Sequence, residues 1–284
     1  MSQKVTAEMV KQLRERTGVG MSKCKEALDQ ALGDMETAID ILRKAGIASA
    51  VKKEGRETKE GMIGCYETRE SLVLIEVNAE TDFVTQNEKF KEFVSLVAKE
   101  AAENKIADLE QLLAHKIASK QDSVDAYRSE LIQSLGENIQ IKRLSLFVKE
   151  PMTSFGLYSH MGGKIVTLVK IQGSDQFDHL AKDIAMHVAA EAPDYVHQQD
   201  VPADVIEREK EIAKAQACST GKEGPMLDKI IEGKVKAFCD QVCLISQKYI
   251  KDNSLTIQQL LEKEGKSKQQ TLTLSSFQRW KVGG

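Results

Sequence analysis

The chain has 284 residues with 40 Lys and Arg against 43 Asp and Glu, a net charge of −3. That balance argues against a general nucleic-acid binder, which needs a basic field, and no apolar run approaches the roughly 20 residues that span a bilayer. No basic segment followed by an apolar core opens the chain, so no secretion signal is expected. Five cysteines, an odd number without a Cys-x-x-Cys pair, read as small buried hydrophobes of a reducing compartment. A soluble cytoplasmic protein is the expectation.

Residues 1–50 read as a three-helix unit. Its apolar stripes are Met9, Val10 and Leu13, then Cys24, Ala27, Leu28 and Ala31, then Ala38, Ile39, Leu42 and Ala45. Gly18-Val19-Gly20 separates the first two helices, Gly33 ends the second, and Asp34 is placed to cap the third. Residues 51–60 are charged, with Val51 as the one large apolar side chain, and read as a solvated linker.

A first subdomain, 61–150, opens with two strands, Met62–Tyr66 and Leu72–Val77, then the loop Asn78-Ala79-Glu80-Thr81-Asp82-Phe83-Val84 and a helix from Asn87 to Glu103. Helical stretches at Leu109–Lys120 and Ser123–Leu135 follow, with Gly136 as the stop of the second. Ile139, Ile141, Leu144, Leu146 and Val148 mark a third strand whose alternation breaks near Lys142-Arg143.

The second subdomain, 151–284, starts with a hairpin, Phe155–Tyr158 against Lys164–Ile171, then a helix from Asp175 to Glu191. An insertion at 202–245 reads as an antiparallel helical hairpin, Glu207–Ala217 and Met226–Val242, with Ile212, Ile230, Val235 and Phe238 expected along its seam. That seam either packs on its own core or pairs two copies of the chain. Ile257, Leu260 and Leu261 mark a short helix, and Leu272, Leu274 and Phe277 the closing strand. The fold class is α+β, with helices covering one face of antiparallel sheets.

The two subdomains repeat one pattern. Tyr66 and Val73–Val77 match Tyr158 and Ile165–Val169 at a shift of 92 positions. Phe90, Phe93, Val97, Ala98 and Ala102 match Phe177, Leu180, Ile184, Ala185 and Ala189 at a shift of 87. The first copy therefore carries five extra residues between strand and helix, including a Phe and two acids, and an insertion at a strand end is where function tends to be grafted. The residues alone leave Phe83 between an exposed wedge and core packing on Phe90 or Phe93. They likewise leave Asp82 between a partner contact and a helix N-cap.

No catalytic constellation emerges. No strand–glycine loop–helix unit for cradling phosphate is recognised, His179 and His187 are too far apart on one helix to share a metal, and no Cys sits at a turn that would activate it. An enzyme, a metal and a cofactor are all unexpected.

Four separated motifs resemble the translation elongation factor Ts family. They are Leu13 to Met21 with Cys24-Lys25, Thr81-Asp82-Phe83-Val84, Gly136-Glu137-Asn138-Ile139, and Ile184 to Ala190 with Pro193. The resemblance implies a ubiquitin-associated-like N-terminal three-helix domain, two related antiparallel-sheet-plus-helix subdomains and an inserted helical hairpin. It also implies a guanine-nucleotide exchange factor that binds elongation factor Tu, GDP-bound and nucleotide-free, without direct contact to nucleic acid or membrane. By motif, Thr81, Asp82, Phe83 and Val84 carry the contact near the Mg²⁺ and phosphate side of the GTPase, with Leu135, Gly136, Glu137 and Asn138 beside the phosphate loop. Lys11, Arg14, Met21 and Lys25 match N-domain contacts, and His160 a contact on the second hairpin. Ser22 stands where members often carry a second Met, and a C-terminal helical module of some members is not expected after Gly284. From other classes, a non-exchanging adaptor and a sheet-face RNA binder also fit the architecture; aromatic residues at 5% count against the second.

Overall fold

The computed structural model describes residues 5–17, 19–44, 53, 55–120, 122–218 and 224–284. Gly18, residues 45–52, Glu54 and residues 219–223, where a turn was expected, lie outside the described residues. Two compact units emerge, Met1–Lys149 with Lys281–Gly284, and Glu150–Trp280. The architecture is α+β: short helices first, then antiparallel sheets with helices.

In the first unit, helices Ala7–Thr17, Met21–Gln30 and Met35–Lys44 bury Val10, Leu13, Val19, Cys24, Ala27, Leu28, Ala31, Ala38, Ile39 and Leu42 as one cluster. The second helix stops where Leu32 and Gly33 turn left-handed, at φ of 54° and 87°. Asp34 then caps the third, accepting a 2.7 Å hydrogen bond from the Thr37 amide.

Strands β1 (Glu60–Glu67), β2 (Ser71–Ala79) and β3 (Ile139–Val148) form an antiparallel sheet in the order β1-β2-β3. The break in alternation is a bulge: Glu76 opposes Arg143 and Val77 opposes Ile141, so Lys142 is the extra residue. Asn87 caps helix Glu88–Glu103 by accepting from the Lys89 amide at 2.9 Å. The helix lays Phe90, Phe93, Val94, Val97, Ala98 and Ala101 against Val73, Ile75 and Val77.

One helix is shorter than its pattern suggests. Leu109–Ala114 ends before His115, and the chain folds back so that the Ile117 amide donates to Asp122 O at 2.9 Å. Burying Ile117 completely, and pairing His115 Nε2 with Glu100 Oε2 at 2.9 Å, wins over the helical period.

The second unit has the same plan: β4 (Thr153–His160), β5 (Ile165–Gln172) and β8 (Thr273–Lys281) in the order β4-β5-β8, with helix Asp178–Glu191 packed on the hairpin. A two-stranded sheet, β6 (Lys248–Tyr249) with β7 (Asp252–Thr256), was not expected. Gly64 and Gly156, 92 positions apart, each let the overlying helix ride close to the first strand of its hairpin. A Cβ on Gly64 would meet Val94 Cγ1 at 2.5 Å, and one on Gly156 would meet the Ala181 backbone carbon at 1.9 Å.

Helices Ala203–Cys218 and Pro225–Val242 pack on each other. Val235 and Phe238 join the buried cluster of Val201, Cys239 and Cys243, as a seam requires. Ile212 does not, being 41% exposed; Ala213 and Ala217 hold the buried positions of that helix. Among the described residues, no helix is long and apolar enough to cross a membrane.

Candidate functional site: an exposed ring on a braced loop

β2 is buried along its whole length and releases the chain at Glu80, at the rim of the first core. A single helical turn, Asp82–Gln86, follows before Asn87 starts the next helix. This turn is what the second unit lacks between β5 and its helix. Its amphipathicity is sharp: Val84 is 7% exposed and belongs to the core, Thr85 is fully buried and donates to Asp82 O at 2.8 Å, and Phe83 is 85% exposed. Core packing of Phe83 on Phe90 or Phe93 is therefore excluded. Thr81, not Asp82, occupies the N-cap position. The Asp82 carboxylate is exposed and makes no hydrogen bond or ion pair among the described residues.

The turn Leu135–Asn138 lies against this loop. Ser123 starts the helix Val124–Leu135 by accepting from the Ala126 amide at 3.1 Å, and Gly136 ends it at φ +81°. Arg128 ties that helix to β3, donating to Ile139 O and to Asp125, both at 2.9 Å. Glu137 and Asn138 then reach the first loop. Thr81 donates to Glu137 through its amide at 3.0 Å and its hydroxyl at 2.6 Å. The Asn138 amide donates to Glu80 Oε1 at 2.6 Å. Arg56 joins from the chain before β1: its guanidinium lies 3.4 Å from Glu80, and its carbonyl accepts from Asn138 Nδ2 at 2.9 Å. Thus Thr81 to Val84 and Leu135 to Asn138 form one site. Glu80 and Arg56, absent from the motif-based set, belong to it; Glu80 is one of the two acids of the five-residue insertion, but its pairing with the distant turn had no signal in the sequence.

The other motif residues stand elsewhere. Lys11 and Arg14 share the exposed side of the first helix, while Met21, 45% exposed, and Lys25 share that of the second. His160 ends β4, exposed, with Nδ1 3.1 Å from the Tyr158 hydroxyl and Met161, 71% exposed, after it.

The described cysteines are not activated nucleophiles. Burial raises the thiols of Cys24, Cys65, Cys239 and Cys243, the last to about 11, which keeps them protonated and inert. Burial, with Asp183 beside it, pushes the Tyr249 phenol up to about 12. His187 is fully buried: its Nε2 lies 2.9 Å from Gln247 Oε1 and its Nδ1 accepts from the Ile250 amide at 3.4 Å. Among the described residues, no cluster of His, Cys, Asp or Glu could hold a metal ion. Gly265-Lys266-Ser267, a tripeptide of the kind that closes phosphate loops, instead ends helix Ile257–Ser267.

A braced loop that holds an aromatic ring in solvent is the arrangement of a protein-interaction factor. The family model for elongation factor Ts matches residues 80–284. The chain is 55% identical over 280 residues to the elongation factor Ts of Protochlamydia amoebophila, covering 98% of this chain and 99% of that one. Those of Chlamydia muridarum and Chlamydia pneumoniae are each 43% identical over 279 residues, covering 97% of this chain and 98% of theirs. The chain belongs to the elongation factor Ts family. It is accordingly a nucleotide-exchange factor of translation elongation and not an enzyme.

Proposed function

We propose that this chain expels GDP from elongation factor Tu by inserting Phe83 and Asp82 near the Mg²⁺ and phosphate side of the GTPase. The carrying observation is that Phe83 is 85% exposed while Val84 beside it is buried. A GTPase holds GDP through phosphate-loop amides and Mg²⁺. Exchange requires a factor that grips the nucleotide-free state more tightly than the loaded one, and by linkage the nucleotide weakens the factor's grip to the same degree. An aromatic ring held out on a loop supplies apolar contact area realised in the complex.

Thr81 and Val84 shape the loop, Leu135 and Gly136 are proposed to add contact surface beside it, and Glu137 and Asn138, the latter fully buried, serve the site from inside as its brace. Lys11, Arg14, Met21 and Lys25 are proposed as the N-terminal contacts and His160 as that of the second hairpin; their exposure supports this reading. The division proposed is a ubiquitin-associated-like domain at 1–50, a linker at 51–60, and two related subdomains at 61–150 and 151–284, with the hairpin at 202–245. The matching order of strands and helices supports the kinship of the subdomains. A cytoplasmic setting and pairing of two chains through the hairpin are also proposed, the latter because Ile212 and Met226 are exposed on it.

Release of fluorescent GDP from elongation factor Tu, with the parent chain and with Phe83→Ala, tests the reading. Loss of acceleration is expected; parent-like acceleration would place the exchange element outside this loop.

A further inference from the structure

We propose that Glu80 and Glu137 are positioning residues: a reciprocal carboxylate clamp that holds the exchange loop in its working shape before the GTPase arrives. The proposal deepens the reading above and rests on it, since it concerns how Phe83 is presented.

Each of two neighbouring turns lends a carboxylate to the other. Glu137 accepts from the amide and hydroxyl of Thr81, at 3.0 and 2.6 Å, so both its oxygens are engaged inside the molecule. Glu80 accepts from the Asn138 amide at 2.6 Å. Arg56 closes the circuit, with its guanidinium 3.4 Å from Glu80 and its carbonyl receiving Asn138 Nδ2 at 2.9 Å. Thr81 is the N-cap residue of the turn carrying Phe83, and its hydroxyl caps nothing in that turn. It is spent on Glu137 instead.

The consequence is mechanical. The loop is held at two points, Thr81 by Glu137 and Val84 by the core. Phe83 lies between them and points out. A ring already fixed in its bound attitude loses less freedom on insertion, so more of its contact energy reaches the complex. Hydrogen bonds to ionised carboxylates are the stronger kind, which suits them to holding an exposed loop. Each Glu137 oxygen already receives a bond from Thr81, so its effect on exchange is assigned to the loop.

A double-mutant cycle tests this. Stopped-flow release of fluorescent GDP from elongation factor Tu is followed over a range of factor concentrations for the full-length parent, Glu137→Ala, Phe83→Ala and the double variant. Amide hydrogen exchange of residues 81–85 is measured on each free chain. Glu137→Ala should raise the amide exchange of Thr81 and Asp82 and cut acceleration by about tenfold, mainly by raising the half-saturating concentration. In the Phe83→Ala background the same change should add less than about twofold. Glu80→Gln, which keeps the acceptor for Asn138, should restore most of what Glu80→Ala loses. Undiminished amide protection in Glu137→Ala overturns the clamp. Equal losses in both backgrounds overturn it as well, because Glu137 would then act independently of Phe83. Parent-like release by Phe83→Ala alone overturns the exchange-loop reading, whatever the amides show.

Discussion

Phe83 and Val84 are neighbours in one helical turn, yet Phe83 is 85% exposed and Val84 only 7%. The pair separates function from folding at a single step of the chain. Phe83→Ala should leave the denaturation midpoint of the free chain unchanged and weaken the complex with nucleotide-free elongation factor Tu by about 2 kcal/mol. Val84→Ala should do the reverse, costing about 2 kcal/mol of folding stability through the small cavity it leaves. Urea denaturation and GDP-release assays on both variants check the contrast; a destabilised Phe83→Ala would contradict the exposure.

The paired glycines give a graded expectation. In Gly156→Ala the new methyl would sit on backbone, 1.9 Å from the Ala181 carbon and 2.1 Å from the Lys182 nitrogen, so strand and helix must part. A loss above about 3 kcal/mol is expected. In Gly64→Ala the closest obstacle is Val94 Cγ1 at 2.5 Å, the end of a side chain that can rotate. That loss should be nearer about 1 kcal/mol. Equal losses in chemical denaturation would show that the two helices do not differ in how closely they approach.

Much of this was legible in the sequence, for identifiable reasons. The strands and long helices announce themselves because their apolar residues line one continuous core each, as Val73, Ile75 and Val77 do against Phe90 and Phe93. The Lys142 bulge showed as a broken alternation. The length of helix Leu109–Ala114 was not legible, because burial of Ile117 and the His115–Glu100 contact are tertiary. The site was half visible. Its chain position followed from an insertion in one of two matched units, but that reading gave no sign that Val84 and Thr85 are buried. The Glu80–Asn138 and Thr81–Glu137 bonds join residues more than fifty positions apart, which no local pattern encodes.

His187 sets an acid limit on stability. Burial holds its imidazole below the ordinary 6.5, against the smaller opposing pulls of Gln247 and Glu191. With the folded value depressed, the unfolded chain binds a proton that the folded one refuses. The contribution of His187 is therefore full above pH 6.5 and is lost as pH falls from there toward the folded value. Denaturation midpoints between about pH 7 and about pH 5 should decline in the parent, and less steeply in His187→Gln. Parallel declines would place the acid sensitivity elsewhere.

The helical hairpin makes a separate expectation about assembly. Ile212 and Met226 are exposed on it, at 41% and 61%, while Val235 and Phe238 already pack within the chain. If two chains pair through the hairpin, Ile212→Glu with Met226→Glu should halve the mass seen by light scattering and leave unfolding cooperative. An unchanged mass rules out a dimerising role.

Asp82 offers the sharpest test of how the loop works. Its carboxylate is exposed, bonds to nothing among the described residues, and sits one residue from the protruding ring. Thr81, and not Asp82, holds the N-cap position, so Asp82→Asn should fold as the parent does. The replacement keeps the shape and removes the charge. If the charge acts near the Mg²⁺ of the GTPase, the Asn variant should still bind nucleotide-free elongation factor Tu, because Phe83 and its brace are intact, but should accelerate GDP release less. Raising Mg²⁺ should then slow release by the parent and leave the variant less affected, since the variant has already lost the group that competes with the ion. Stopped-flow release of labelled GDP across a Mg²⁺ series, with circular dichroism as the folding control, reads both effects. Parent-like rates at every Mg²⁺ concentration would leave Phe83 as the sole working side chain of the loop and remove Asp82 from the exchange step.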